Sequence, residues 1–278
     1  MLLGREFVRV SESEPFLTVL HWNILSDQLS GFFPSVEDKY VEWDYRKKYI
    51  ESEIINSQAD IMCLSEVDHY IDFIQPLLHS RGYGSIFKKK KSWHRDGLCI
   101  AFKLDKFSFA KQMPVYFPQS NQFALVAKLI LGSINITVVS THLKSGKKYE
   151  KYRVAQARYL MKFLEKTEAD AIILCGDFNC SPNSPSYNTI VNSSIGLKSA
   201  YLNTLEPSSE PKFTTYKMRE EIEYSTIDYI FLKNFDVDYV LNLPSLSFIE
   251  KTSLPSSTYP SDHLSLVCKI HYRLNYLI

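Results

Sequence analysis

Nowhere in the 278 residues does an apolar run approach the roughly 20 residues that a membrane-spanning helix requires. The opening stretch, Met1 to Arg9, is too short to hold the apolar segment of a secretory signal. These two absences make a cytoplasmic location the default expectation, with a mitochondrial one if a longer precursor carries a transit peptide. The five cysteines, Cys63, Cys99, Cys175, Cys180 and Cys268, form no C-x-x-C pair. Thiolate zinc sites and a disulfide framework are thereby disfavoured, and the cysteines read as buried, reduced thiols suited to a reducing compartment. Charge of one sign is also scarce: 32 basic against 31 acidic residues leave a net charge of +1. That balance excludes the broad basic field of a bulk nucleic-acid packer. Internal repeats, low-complexity tracts and linkers between independent cores are missing too, so residues 1–278 read as one domain. Hydrophobic residues at 45% and charged residues at 23% argue against disorder and coiled coil.

What is present is a series of apolar, β-branched and aromatic runs that stop at polar residues. Strands are predicted at 16–24, 59–64, 84–87, 98–102, 107–111, 123–131, 134–141, 171–174, 226–232, 237–241 and 264–270. Helices are predicted at 43–55, 70–80, 149–166 and 184–191. Ile71, Phe73, Ile74, Leu77 and Leu78 form the expected buried stripe of the second, and Tyr152, Ala155, Tyr159 and Phe163 lie on or near one face of the third. Gly132-Ser133 is a two-residue hairpin signal. Strands outnumber helices and end in polar residues, which suits two mostly antiparallel sheets packed face to face with helices outside, a four-layer α/β (α+β) sandwich. The polar strand ends would converge on one rim.

Chemistry concentrates at those ends. Asn23, Glu66, His142, Asp177 with Asn179, Asp228, and Asp262 with His263 each follow or close an apolar run. Magnesium takes oxygen ligands and needs only one or two protein carboxylates, so Glu66 supported by Asn23 suffices, with Mn2+ as an alternative ion. Phosphate-ester hydrolysis also needs a positioned water and donors around the phosphoryl oxygens. Asp177 is suited to the water, Asn179, His142 and Asn23 to the oxygens, and Asp228 to holding His263 as an imidazolium. Asp177 and His263 are expected on opposite sides of the scissile phosphate. Asp68 and His69 are expected to cap the following helix, Trp22 to be core, and Tyr229 and Tyr259 to be buried with satisfied hydroxyls. Two basic clusters, Lys88 to Lys91 with His94 and Arg95, and Lys144, Lys147, Lys148, Lys151 and Arg153, are either solvated surface or ligand contacts.

In this order and spacing, the segments resemble the endonuclease/exonuclease/phosphatase superfamily over nearly the whole chain. The strongest markers are G-D-F-N at 176–179, I-D-Y at 227–229 and S-D-H at 261–263. W-N-I-L at 22–25 and E-V-D-H-Y at 66–70 are similar to the branch holding nocturnin, the Angel proteins and the carbon catabolite repressor deadenylases. T-H-L-K at 141–144, Arg153-x-Ala155-Gln156, T-T-Y-K-M-R at 214–219 and Y-P-S-D-H-L-S-L-V-C at 259–268 are nocturnin-like within it. The resemblance implies a two-sheet sandwich with Glu66 and Asp262 at the metal and Asn23, His142, Asp177, Asn179, Asp228 and His263 around the phosphate. It adds Lys144, Arg219 and Asn121 as substrate contacts.

It further implies hydrolysis of a phosphoester on an adenine nucleotide, foremost the 2′-phosphate of NADP(H), with an RNA 3′ end as the alternative substrate. Stacking aromatics for RNA are hinted at only by Tyr149 and Trp93. A distant alternative is an inactive nucleotide- or RNA-binding module. No leucine-rich repeats precede the segment, which implies a free-standing monomer without a scaffold-docking module. Two positions depart from the branch pattern: Ser65 stands where glutamine is usual before the metal glutamate, and Gly146 where nocturnin has an arginine.

Overall fold

A computed structural model describes residues 3–91, 93–202, 209–218 and 221–273. The described residues form fifteen strands and six α-helices. The first sheet holds β1 (Phe7–Arg9), β2 (Leu17–Asn23), β3 (Ile61–Val67), β4 (Tyr83–Lys89), β5 (Gly97–Lys103), β14 (Phe235–Leu241) and β15 (Leu266–Tyr272), ordered β1-β14-β15-β2-β3-β5-β4. The second holds β6 (Ser108–Tyr116), β7 (Phe123–Leu131), β8 (Ile134–His142), β9 (Ala171–Asp177), β10 (Lys198–Ser199) and β13 (Asp228–Lys233), ordered β10-β13-β9-β8-β7-β6. A separate hairpin pairs β11 (Thr215–Met218) with β12 (Ile222–Ser225).

Successive strand residues face opposite sides of a sheet, and here both sides are apolar. Val19, Cys63 and Ile100 of the first sheet meet Leu125, Val138 and Ile173 of the second in the central layer. The outer face of the first sheet, with Leu20, Met62 and Leu64, packs on α2 (Trp43–Ser57), which follows the one-turn α1 (Asp38–Val41), and on α3 (Gln75–Ser80). The outer face of the second, with Val139, Ile172 and Leu174, packs on α4 (Glu150–Glu165) and α5 (Pro185–Val191). The seven-residue α6 (Leu246–Thr252) precedes β15. The expected four-layer sandwich is therefore the architecture.

Each sheet contains one parallel pair, β2 with β3 and β8 with β9. Parallel strands need a long crossover, which α2 and α4 supply, and their carboxyl ends lie at the same level. Register places Asn23 beside Ser65 and His142 beside Asp177. β13 enters antiparallel at that level, with Asp228 opposite Asp177. The rim is thus a consequence of strand direction and register.

The predicted strands and helices are all present, and the hairpin at Gly132-Ser133 turns with φ +59° at Gly132, as a turn with glycine first requires. Three expectations need correction, and the face read on the long helix proves not to be its buried one. The buried face of α4 is Arg153, Gln156, Ala157, Leu160, Met161 and Leu164, while Tyr152, Ala155 and Tyr159 are exposed. Two polar residues fill the buried stripe because each serves the neighbouring loops, so the apolar pattern points to the wrong side. Ile71 is exposed because the helix opens with a π-wound turn at Tyr70–Ile74 that buries Tyr70 instead. Asp68 does not cap that helix; its Oδ2 accepts the Gln28 N–H at 3.2 Å. His69 occupies the cap position without a side-chain cap and stacks on Trp43, 3.9 Å between ring centres. Trp22, Tyr229, Tyr259 and all five cysteines are buried as expected. Residues 203–208 and Arg219 lie outside the described residues.

Gly176 shows how tightly the rim is built. A Cβ there would lie 2.4 Å from the backbone oxygen of Thr141 on β8. Backbone cannot move aside cheaply, so Gly176→Ala should destabilise the protein by at least about 2 kcal/mol. A denaturant midpoint equal to wild type would show that β8 and β9 are less tightly apposed than described.

Candidate active site

Strand ends create the site because a side chain one step past the last ladder pair is freed from the sheet face. β2 ends at Asn23, and Leu25 two residues on turns left-handed with φ +58°. Glu66, within β3 at a register shift, also has φ +58°, and Asn179 after β9 has φ +51°. Three such residues at one rim are uncommon, and left-handed backbone in bulky residues marks sites held by their surroundings.

Asn23 is the hinge of the carboxylates. Its Nδ2 donates to Glu66 Oε1 at 3.0 Å and to Asp177 Oδ2 at 3.2 Å, while its Oδ1 accepts the Leu25 N–H at 3.1 Å. Both amide hydrogens are spent on carboxylates, so Asn23 has none left for a phosphoryl oxygen. Glu66 Oε2 accepts the Ser26 N–H at 3.1 Å. Asp177 Oδ1 accepts the Asn179 N–H at 2.9 Å, and Asn179 Nδ2 donates to the Leu143 carbonyl at 3.1 Å.

The histidines divide into two states. His263 Nδ1 lies 2.9 Å from Asp228 Oδ2, and its Nε2 lies 3.8 Å from both Asp177 Oδ2 and Asp262 Oδ2. Burial opposes its charge, but Asp228 and Asp262 raise its pKa to about 9. His142 Nε2 lies 3.5 Å from Asp177 Oδ2, and its Nδ1 is buried without a hydrogen-bond partner. Burial, then Lys90 and His263, hold it well below the ordinary histidine value, so it is neutral. Asp177 is pushed up to about 6 by burial first and then by Asp228. Burial would raise Asp228 too, but His263 and His21 hold it below the usual carboxylate range.

Several residues at the rim escaped sequence reasoning. His21 Nε2 lies 3.2 Å from Asp228 Oδ1, and Thr214 Oγ1 donates to Asp228 Oδ2 at 2.7 Å. Lys217 Nζ lies 3.1 Å from Asp262 Oδ2, and burial's downward pull on it is overcome by Asp262, Asp177 and Glu66. Lys217 stands two residues before Arg219 in the T-T-Y-K-M-R run, where strand alternation on β11 could have singled it out. Trp22, expected only as core, also donates its indole N–H to the His263 carbonyl at 2.8 Å.

Glu66, His142, Asp177, Asn179, Lys217, Asp262 and His263 line a cleft of ≈1080 Å³, with Asn23, His21, Thr214, Asp228 and Trp22 behind them. Lys144 and Asn121 line it as well, and Lys144 Nζ rests 4.9 Å from the centre of the Tyr149 ring. Lys90 and Lys147 bring both basic clusters to its wall. Lys90 is buried against Asp96 at 2.5 Å, and Arg153 is spent on the Lys144 and Gly146 carbonyls. Phe32 and Tyr152 also line the cleft. Gly146 has φ +100°, which a branched or long side chain would adopt only under strain, so this turn disfavours an arginine there. Ser65, the other departure, leaves its hydroxyl buried without a partner.

Asp177, Asp228 and His263 each bring a possible ligand atom within 4.8 Å of the others. Asp228 already accepts from Thr214 and faces two histidines, so that trio has the bonding of a carboxylate–imidazole pair. The oxygens of Glu66 and Asp177 share the single amide of Asn23, a pair of buried anions that a divalent cation would neutralise. Hard oxygen donors fit Mg2+ or Mn2+.

A family model described as the endonuclease/exonuclease/phosphatase family matches residues 20–263. Nocturnin of Homo sapiens is 35% identical over 94% of the chain and 66% of its own length. Nocturnin of Drosophila melanogaster is 36% identical over 91% of the chain and 46% of its own length. The chain thus spans about half to two thirds of the length of these relatives. Among solved structures, the human nocturnin catalytic domain with bound sulfate superposes with a TM-score of 0.81 at 32% identity, covering 96% of this chain and 97% of that one. ANGEL2, a 2′,3′-cyclic phosphatase in complex with adenosine-2′,3′-vanadate, superposes with a TM-score of 0.87 at 25% identity, covering 99% and 100%. With the family model spanning the rim from β2 to His263, the chain belongs to the endonuclease/exonuclease/phosphatase family, in its nocturnin-like branch.

Proposed function

We propose that this chain is a divalent-metal-dependent phosphoesterase acting on an adenine nucleotide, with the 2′-phosphate of NADP(H) as its substrate. The observation that carries the reading is the buried Asp177 with a pKa near 6 facing His263 with a pKa near 9, a base and a cation ready together at neutral pH. Adenosine-2′,3′-vanadate on ANGEL2 supports chemistry at the ribose 2′ and 3′ oxygens of an adenine nucleotide. The sulfate of the human nocturnin domain supports an anion site.

Glu66, steadied by Asn23, would hold Mg2+ or Mn2+, with only Oδ1 of Asp262 left to assist because Lys217 engages Oδ2. When bound, the ion supplies positive charge to the phosphoryl oxygens. Asp177 orients water and accepts its proton as the water oxygen bonds to phosphorus and the ribose C–O–P linkage breaks at phosphorus. That proton returns through solvent to the departing alkoxide, completing hydrolysis. The His263 imidazolium, fixed by Asp228, donates to a phosphoryl oxygen as charge develops there. Asp177 Oδ2 and His263 Nε2, 3.8 Å apart, are too close to straddle a phosphoryl group. They flank it from one side, not from opposite sides.

Asp177 must be ionised and His263 protonated, so kcat/KM should rise through pH 6 and fall through pH 9. A bound cation favours the carboxylate and shifts the acid limb lower. A rate that keeps climbing above pH 10 would remove His263⁺ from the mechanism. Lys144→Ala should lower kcat/KM for NADPH at least about tenfold while sparing a small aryl phosphodiester. Equal losses on both substrates would place Lys144 at the reacting phosphate, and no loss on either would make it surface. The same two-substrate comparison tests Arg219→Ala.

A second reading, cleavage at an RNA 3′ end, draws on Phe32, 60% exposed, and Tyr152, 57% exposed, on the cleft wall. Base stacking uses such aromatics. Tyr149 and Trp93 are not among the cleft-lining residues. The reading as a metal-dependent hydrolase is tested by phosphate release with Mg2+ and after chelation. Release that persists in excess chelator would overturn it.

A further inference from the structure

We infer that Arg46 is a positioning residue for the rim, a guanidinium on α2 that ties the turn after Asn23 to the segment before Asp262 and His263. Its Nη1 lies 3.2 Å from the Ile24 carbonyl, 2.8 Å from the Leu25 carbonyl and 3.2 Å from the Pro260 carbonyl, and its Nε donates to the Val41 carbonyl at 3.1 Å. The side chain is wholly buried. Its Nη2 has no hydrogen-bond partner, and its nearest carboxylate oxygen, Asp27 Oδ1, is 3.9 Å away. Burying a cation costs several kcal/mol unless it is well bonded. The bonds it makes go to main chain on both sides of the site, and one of those carbonyls belongs to left-handed Leu25.

Two neighbouring contacts run between the same segments. Trp22 Nε1 donates to the His263 carbonyl at 2.8 Å, and Ser261 Oγ donates to the Asn23 carbonyl at 2.7 Å. Together with Arg46 they lace residues 22–25 to 260–263 at successive positions. Asn23 bonds Glu66 and Asp177, while His263 faces Asp177, so the spacing of the two segments sets the distance between the base and its cationic partner. Nη1 alone reaches carbonyls of both segments while Nε, in the same plane, is held by the Val41 carbonyl, so the rigid guanidinium fixes the bridging atom in place as a freely rotating ammonium on a shorter reach does not. Arg46 lies behind the rim and is absent from the cleft lining. Its effect on chemistry would pass through Asn23 and His263.

The inference rests on the reading of the rim as an active site, so its test needs an arm that does not depend on turnover. Hydrogen exchange of the Trp22 indole proton and the His263 amide would be followed in Arg46→Met and Arg46→Lys, with the amides of Val138 and Leu174 in the other sheet as reference. In Arg46→Met the two rim protons should exchange at least about tenfold faster while the reference amides stay within about twofold. In turnover with Mg2+, kcat should fall at least about tenfold with KM within about threefold of wild type, and Arg46→Lys should recover part of the loss. Acceleration shared by Val138 and Leu174 would make Arg46 a general stabiliser and overturn the inference. Unchanged exchange at Trp22, or a loss confined to KM, would overturn it as well. Should Arg46→Met not fold, Arg46→Lys decides on the same readouts. If wild type hydrolyses no phosphoester, the proposed function fails, and the exchange arm still decides whether Arg46 holds the two segments together.

Discussion

Glu66→Gln should reduce turnover by more than roughly 100-fold, the scale of removing a main stabiliser of transition-state charge. The two side chains have nearly the same shape, so the substitution isolates charge. Glu66 has φ +58° and is buried, but glutamine meets the same backbone demand. Its amide oxygen can keep either the Asn23 or the Ser26 hydrogen bond, and its NH2 then faces a donor at the other, a cost of about 1 kcal/mol that leaves the fold intact. What is lost is the net charge that draws a divalent ion to the rim. Circular dichroism and the thermal midpoint should resemble wild type while phosphate release collapses. Near-normal turnover at saturating Mg2+ would remove Glu66 from the metal site.

Asp177→Asn should lower kcat by about 10²- to 10⁴-fold, the range general base catalysis contributes. Asparagine retains the oxygen that accepts the Asn179 N–H but turns an NH2 toward Asn23 Nδ2 and His263 Nε2, where Asp177 presents Oδ2. Donors then face donors, and no group near pH 6 remains to take a proton. The acid limb of the pH profile should vanish. The basic limb should stay near 9, because Asp228 and Asp262, the principal charges raising His263, are untouched. A variant whose KM rises steeply while kcat holds would show that Asp177 serves binding alone.

The parts legible in the sequence are those governed by local pattern. Apolar runs ending in Asn23, Glu66, His142 and Asp177 announce strands that stop at a rim, because carboxylates and amides are costly to bury without partners and are most readily met where a buried strand leaves the sheet. Partners set by tertiary register were not legible. His21 alternates within an otherwise apolar strand, and only the approach of β13 reveals that it meets Asp228. Lys217 reads as the exposed half of a short hairpin until Asp262 arrives from the loop before β15. α4 misleads for a related reason: Arg153 and Gln156 are buried because the 144–146 and 120–122 loops need donors and acceptors there. Arg46 looks like a surface arginine on an amphipathic helix, and its burial is matched by four carbonyls, three from two distant segments and one from Val41 five residues before it.

The most direct measurement is side-by-side turnover of NADPH and a short oligo(A) by the same enzyme preparation with Mg2+, with products identified. The account predicts inorganic phosphate and NADH from NADPH, at a kcat/KM well above that for any AMP released from oligo(A), and neither product after chelation. AMP release from oligo(A) with NADPH left intact would contradict the assigned substrate, and phosphate release indifferent to the chelator would contradict the metal site built on Glu66.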